Sequence, residues 1–215
     1  MPRFIVRLWV PDRPGALGAV ASRIGAVRAD VVGVEILERG GGRAVDELTV
    51  ELPDAELVDL LVAEIGQVDG VDVEHVRPVR RAETDRATAS VAVARALAGA
   101  TTAEVVLAEL AEGLTSLFEA DWAAVVDPNA GAVVVLRGGD DIPSAEWLAA
   151  FVIGSSAGEG SFAAVDELAR AKLERCGLQV VLSREHLPLR AGERQVMSGL
   201  ADLADELVAR ASPAG

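Results

Sequence analysis

Between Phe4 and Val27 the apolar residues change their spacing. Phe4, Val6 and Leu8 alternate with Ile5, Arg7 and Trp9, the period of a two-faced strand. Beyond Pro11 the apolar positions become Leu17, Val20, Ala21, Ile24 and Val27, the stripe of an amphipathic helix. A strand that runs straight into such a helix must bury the stripe against its own sheet. The same device recurs before residue 80. "DVVGVEILE" is β-branched and ends in "RGGGR", a hairpin signal, and "AVDELTVEL" puts Leu48, Val50 and Leu52 on one face. Pro53 and Asp54 open a second helix with Leu57, Leu60, Leu61 and Ile65 inward, and "VDVEHVRPV" closes with a short strand. The order βαββαβ predicts a four-stranded antiparallel sheet with both helices on one face, a ferredoxin-like domain over residues 1–79.

"RRAETDRAT" follows, polar and without period, and residues 80–88 read as a linker. Residues 89–215 predict a second α/β domain around an antiparallel sheet. "TAEVVLAELAEGLTSLF" is a helix with Val106, Leu107, Leu110, Leu114 and Leu117 inward, and "DWAAVVDPNAGAVVVLRGG" is two strands around a Pro-Asn-Ala-Gly turn. "SAEWLAAFVIG" reads as a helix. "ERQVMSGLADLADELVAR" is the last one, with Val196, Leu200, Leu203, Ala204 and Leu207 on one stripe. For Asp166–Glu174 propensity favours helix, whereas the turn-like "ERCG" and the strand-like "LQVVLSR" favour a hairpin. The hairpin is the expectation adopted. The fold class is therefore α+β.

Charge and composition narrow the function. The 215 residues carry a formal net charge of −14, and both halves hold more acid than base. Neither half gathers the positive charge that nucleic acid or an anionic membrane surface requires, so neither is an expected partner. Tyr is absent and aromatic residues make up 3% of the chain, which also argues against base stacking. No apolar run is long enough for a membrane span and no secretory signal is visible, so a cytoplasmic protein is expected. The single Cys176 excludes an internal disulfide and a cysteine-based metal cluster.

The segment "PDRPGALG" is the candidate binding site. Pro11 ends the strand, Asp12 or Arg13 sits where a cap is needed, and Pro14 suits a first helical turn. Gly15 lets a ligand or another backbone approach. The N–H groups at about Gly15, Ala16 and Leu17 lack intrahelical partners and carry the positive end of the helix dipole, so they can hold a carboxylate. The start of the second strand, Asp30 and Val31, is expected nearby. Asp12 and Asp30 would then face an ammonium. An anion site beside carboxylates suits a free amino acid.

"DRPGALGAVASRIGAVRADVVGVEI" resembles the ACT domain, whose hallmark Asp-x-Pro-Gly-x-Leu is matched by Asp12, Pro14, Gly15 and Leu17. The resemblance covers about residues 3–79. It implies binding of an amino acid or similar small ligand where two such domains pair edge to edge, hence a homodimer whose ligand controls an attached module. Many members carry Asn where this chain has Asp30, a departure that bears on ligand identity. More weakly, "LTSLFEADWAAVVD", "LQVVLSR" and "LPLRAGERQVMSGLADLADEL" resemble a GAF domain over about residues 100–211, which implies a sensory or dimerisation module.

The remaining chemistry-bearing residues assemble no active site. His75 and His186 fall in different predicted domains, Cys176 sits in a predicted turn, and "GSSAGEGS" lacks the strand–turn–helix elbow of a serine nucleophile. Trp9, Trp122 and Trp147 are expected to pack cores, with Trp9 able to cover the sheet face left free of helices. No catalytic residue, metal or cofactor is assigned. The expectation is a non-catalytic sensor whose output passes through an unidentified partner protein. The alternative is an interaction module that keeps the fold for dimerisation and binds no metabolite.

Overall fold

A computed structural model describes residues 1–79, 86–139, 142–156, 168–185 and 187–211. It resolves the chain into two compact units. One comprises Met1–Asp85 with Arg190–Gly192, the other Arg86–Leu189 with Glu193–Gly215. The protein is α+β, with one four-stranded antiparallel sheet in each unit.

In the first unit the elements are β1 (Arg3–Pro11), α1 (Ala16–Ala26), β2 (Asp30–Gly40), β3 (Arg43–Glu51), α2 (Val58–Ile65) and β4 (Asp72–Pro78). The sheet order is β2-β3-β1-β4. This is the expected βαββαβ arrangement. The alternation in β1 and β3 sets Val6, Leu8, Val10, Leu48 and Val50 against Val20 and Ile24 of α1 and Leu61 and Ile65 of α2. Each such side chain contributes about 1.5–3 kcal/mol by leaving water. Leu60, expected inward, is exposed, because the short α2 turns only Leu61 and Ile65 fully toward the sheet. Asp54 accepts the Glu56 N–H at 3.1 Å and caps the 3-10 turn that precedes α2.

The opposite sheet face carries Ile5, Arg7 and Trp9. Arg7 is 1% exposed and donates through Nε and Nη2 to Glu47 Oε1, at 2.9 and 2.7 Å. Trp9 donates from Nε1 to Glu74 at 3.2 Å, and the Arg43 guanidinium lies 5.3 Å from its ring centroid. The sheet face left free of helices is thus held by charged and aromatic pairs.

In the second unit the elements are α3 (Arg86–Gly99), α4 (Ala103–Phe118), β5 (Trp122–Asp127), β6 (Ala132–Gly138), α5 (Ala145–Ser156), β7 (Leu168–Leu173), β8 (Leu178–Ser183) and, from Glu193 onward, α6 (Ala191–Ala211). The sheet order is β6-β5-β8-β7. The β7–β8 hairpin takes the place of the helix that propensity favours. Its tip is fastened to α6, where the Asp205 carboxylate accepts the Arg175 and Cys176 N–H groups at 2.8 and 3.0 Å. Thr102 caps α4 by accepting the Val105 N–H at 3.3 Å. Arg184 donates to Phe118 O at the end of α4 (3.0 Å) and to both oxygens of Glu193 in the first turn of α6 (2.9 and 3.0 Å).

Three expectations for this unit are corrected. Residues 86–88, read as linker, are the first turn of α3. That helix is rich in alanine and buries only Leu97 fully, so it shows no apolar stripe. Trp147 is 47% exposed and stacks on Phe151 at 5.3 Å instead of entering a core, whereas Trp122 is buried. The stripe of α6 is centred on Met197, Leu200, Ala201, Ala204 and Val208, with Val196, Leu203 and Leu207 at its margins. Residues 80–85, His186 and most of "GSSAGEGS" lie outside the described residues.

Candidate ligand-binding site

The loop from β1 to α1 is fixed before the helix begins. Asp12 N–H donates to Gly42 O at 2.9 Å, which ties the loop to the β2–β3 turn, and Arg13 N–H donates to Pro11 O at 2.8 Å. Gly15 is the residue that caps α1, with φ of +87°, and no side chain caps the helix. This corrects the expected cap at Asp12 or Arg13. The left-handed step at Gly15 delays the helix to Ala16 and leaves Pro14 ahead of its first turn. A Cβ on Gly15 would meet nothing within 4 Å, so backbone conformation rather than close approach selects glycine.

Of the amides expected to be unpaired, one is used. Ala16 N–H donates to Arg13 O at 3.3 Å, while the Gly15, Leu17 and Gly18 N–H groups have no partner among the described residues. Three donors therefore stand at the positive end of an eleven-residue helix.

Asp30 and Val31 do not join them within one chain. Asp30 is paired with Glu51, and Glu51 with Arg3. The start of β2 thus lies beside the start of β1, and α1 begins beyond the far end of that strand. Nine residues of strand separate the two places, roughly 30 Å at ~3.3 Å per residue. The expected Asp12–Asp30 pair is corrected accordingly. A right-handed crossover returns the chain to its starting end before the parallel strand begins.

Two residues without a sequence assignment take that place. Asp46 lies opposite Leu8, on the helix-covered face of β3 and three positions from the end where α1 begins. It is 4% exposed, and its Oδ1 has no hydrogen-bond partner. Burial pushes its carboxyl above the ordinary value, the Arg39 charge opposes that rise, and the Asp12 charge adds to it. Arg39, read in the sequence as part of a hairpin tip, is opposite Ala44 and exposed. It makes no ion pair among the described residues. The Asp46 signal was present in the sequence. Leu48, Val50 and Leu52 alternate inward, and two residues back the same face carries a carboxylate.

The Cys176 thiol is pushed up to about 12 by burial and by Asp205, so it is not a thiolate at neutral pH. Among the described residues no three His, Cys, Asp or Glu side chains gather as metal ligands, and no helix is long and apolar enough to cross a membrane.

No family model matches the chain, and no curated protein matches it. Among solved structures it is similar to an unknown protein from Galdieria sulphuraria, with TM-score 0.33, 16% identity, and 44% of this chain and 63% of that chain covered. It is also similar to a formyltetrahydrofolate deformylase from Pseudomonas putida KT2440, with TM-score 0.29, 14% identity, and 45% and 38% covered. The chain thus spans less than two thirds of either protein. At these scores neither likeness fixes fold or function.

Proposed function

We propose that the first unit is an ACT-like sensor of a small metabolite, an amino acid, and that the protein acts by binding rather than by catalysis. One observation carries this reading: unpaired amides at an uncapped helix start stand on the same side of the sheet as the buried Asp46, whose Oδ1 has no hydrogen-bond partner. Donors and an acceptor so placed match the two poles of a zwitterion.

Pairing of two copies through β2 completes the proposal. β2 is an edge strand and exposes Val32, Val34 and Ile36. An antiparallel edge-to-edge pair would carry Asp30 and Val31 of the second copy toward Gly40, next to the turn that holds Asp12. The residues separated in one chain would meet across two. Ligand bound there biases the dimer by its differential affinity for the alternative arrangements, a coupling of typically ~1–3 kcal/mol. The second unit, GAF-like in pattern, would relay the state to a partner protein.

The exposed β2 edge also supports the reading in which the domain only dimerises. Thermal melting of the full chain against the twenty amino acids separates the two. Ligand at a hundredfold over its Kd should stabilise by about 2.7 kcal/mol. A flat panel overturns the sensor and leaves the dimerisation module.

A further inference from the structure

We infer that Arg190–Gly192 is a strap through which a change at β2 reaches α6. The inference rests on the relay in the sensor reading and names the residues that would carry it. These three residues belong to the first unit, while Leu189 before them and Glu193 after them belong to the second. Their attachment is specific. The Arg190 guanidinium lies 4.8 Å from the Trp9 ring centroid and donates to Glu74 Oε1, the oxygen that also accepts the Trp9 Nε1–H. Gly192 lies against β2, where a Cβ would come within 2.9 Å of Leu37 O. The register of β2 on β3 slips between Ile36 and Glu38, so the buried Leu37 has no residue opposite it on β3. Such a bulge re-aims the backbone of its strand, and here glycine admits the close approach.

What the strap would move begins at the next residue. α6 starts at Ala191, so its first two residues are strap, and its body puts Met197, Leu200, Ala204 and Val208 in the core of the second unit. A helix is a stiff element, and displacing Gly192 displaces Glu193. Glu193 is fully buried and accepts from Arg184 at 2.9 and 3.0 Å, with Arg86 at 3.5 Å. The chain enters the second unit at Arg86 and re-enters it at Glu193, and these two residues are paired. A buried carboxylate parted from its cations is strongly destabilising, so Glu193 either keeps them or gives them up together. A coupling between sites requires an element with two such arrangements.

The experiment is hydrogen exchange of the full chain without ligand, read by mass spectrometry on β8, which is paired on both sides and reports opening of the second unit. Leu61→Ala destabilises the first unit from its own core. It is expected to speed β8 exchange by roughly tenfold or more when the strap is intact, and by less than about twofold in the Arg190→Ala chain. Glu74→Gln breaks the same pair from the other side and should give the same loss, so the test stands if Arg190→Ala does not fold. β8 exchange that is indifferent to Leu61→Ala in the wild-type chain overturns the inference. An equal effect with and without Arg190 also overturns it. Both results leave metabolite binding untouched, whereas a flat melting panel removes the sensor reading whatever β8 does.

Discussion

Asp12 and Asp30 stand at opposite ends of the same sheet, although eighteen positions of sequence and a single helix separate them. Pro11, just before Asp12, is level with Arg43, and Asp30 is level with Glu51 at the other end of β3. Within one chain these two carboxylates cannot share a ligand. Val34, 52% exposed on the β2 edge, lies between them. Val34→Lys should shift the full chain from dimer to monomer in sedimentation velocity with little change in Tm. A wild-type chain that sediments as a monomer at all concentrations would remove the pairing.

Asp46 is expected to weaken the fold it sits in. Burial raises its carboxyl pKa above the unfolded value of 3.8. The folded state therefore binds the proton more tightly, and stability falls as pH rises through the window that opens at the unfolded value. Asp46→Asn should raise the urea midpoint at pH 7, and the gain should shrink as pH falls toward 3.8 and the folded carboxyl takes up its proton. A gain of equal size at both pH values would contradict the assignment.

Asp205 has the opposite sign. Its burial acts to raise the pKa, but hydrogen bonds from Cys176 and from the Arg175 and Cys176 amides outweigh it and hold the carboxyl below its ordinary value. Its stabilisation is full above 3.8 and is lost as pH falls through the folded pKa. Asp205→Ala should cost about 1–3 kcal/mol in denaturant unfolding by leaving the hairpin-tip amides unpaired. It should also speed modification of Cys176 by a disulfide reagent at pH 8, because burial and the carboxylate both oppose the thiolate. An unchanged thiol rate would separate Cys176 from Asp205.

The contact of α3 with α4 is close. A Cβ on Gly113 would lie 2.5 Å from Val93 Cγ1, too near for the helices to keep their separation. Gly113→Ala should destabilise by about 1–3 kcal/mol through overpacking. Val93→Ala in the same chain should recover much of that loss, since the two sites share one space. Additive losses in the double variant would place the helices further apart.

The sequence makes the strands legible and the site only partly so. Leu48, Val50 and Leu52 announce a buried face without ambiguity, because a period of two has one interpretation in a strand. α3 is hidden because Ala87, Ala89, Ala92, Ala94 and Ala96 make a helix without choosing a side, and only Leu97 is fully buried. Gly15 is legible as a residue but not as a cap, since a left-handed step and a close approach leave the same letter. Asp30 is misplaced for a topological reason. Neighbours in the list of elements need not be neighbours at one end of a sheet. Arg39 and Asp46 meet only through the register of β2 on β3, which no local pattern states.

The pairing of β2 with β3 slips twice, between Val31 and Gly33 and between Ile36 and Glu38. An incoming chain would therefore find an uninterrupted run only from Gly33 to Ile36, roughly 13 Å of ladder. So short a ladder would hold two molecules only loosely. A dimer formed through that edge, as proposed above, would come apart on dilution instead of locking.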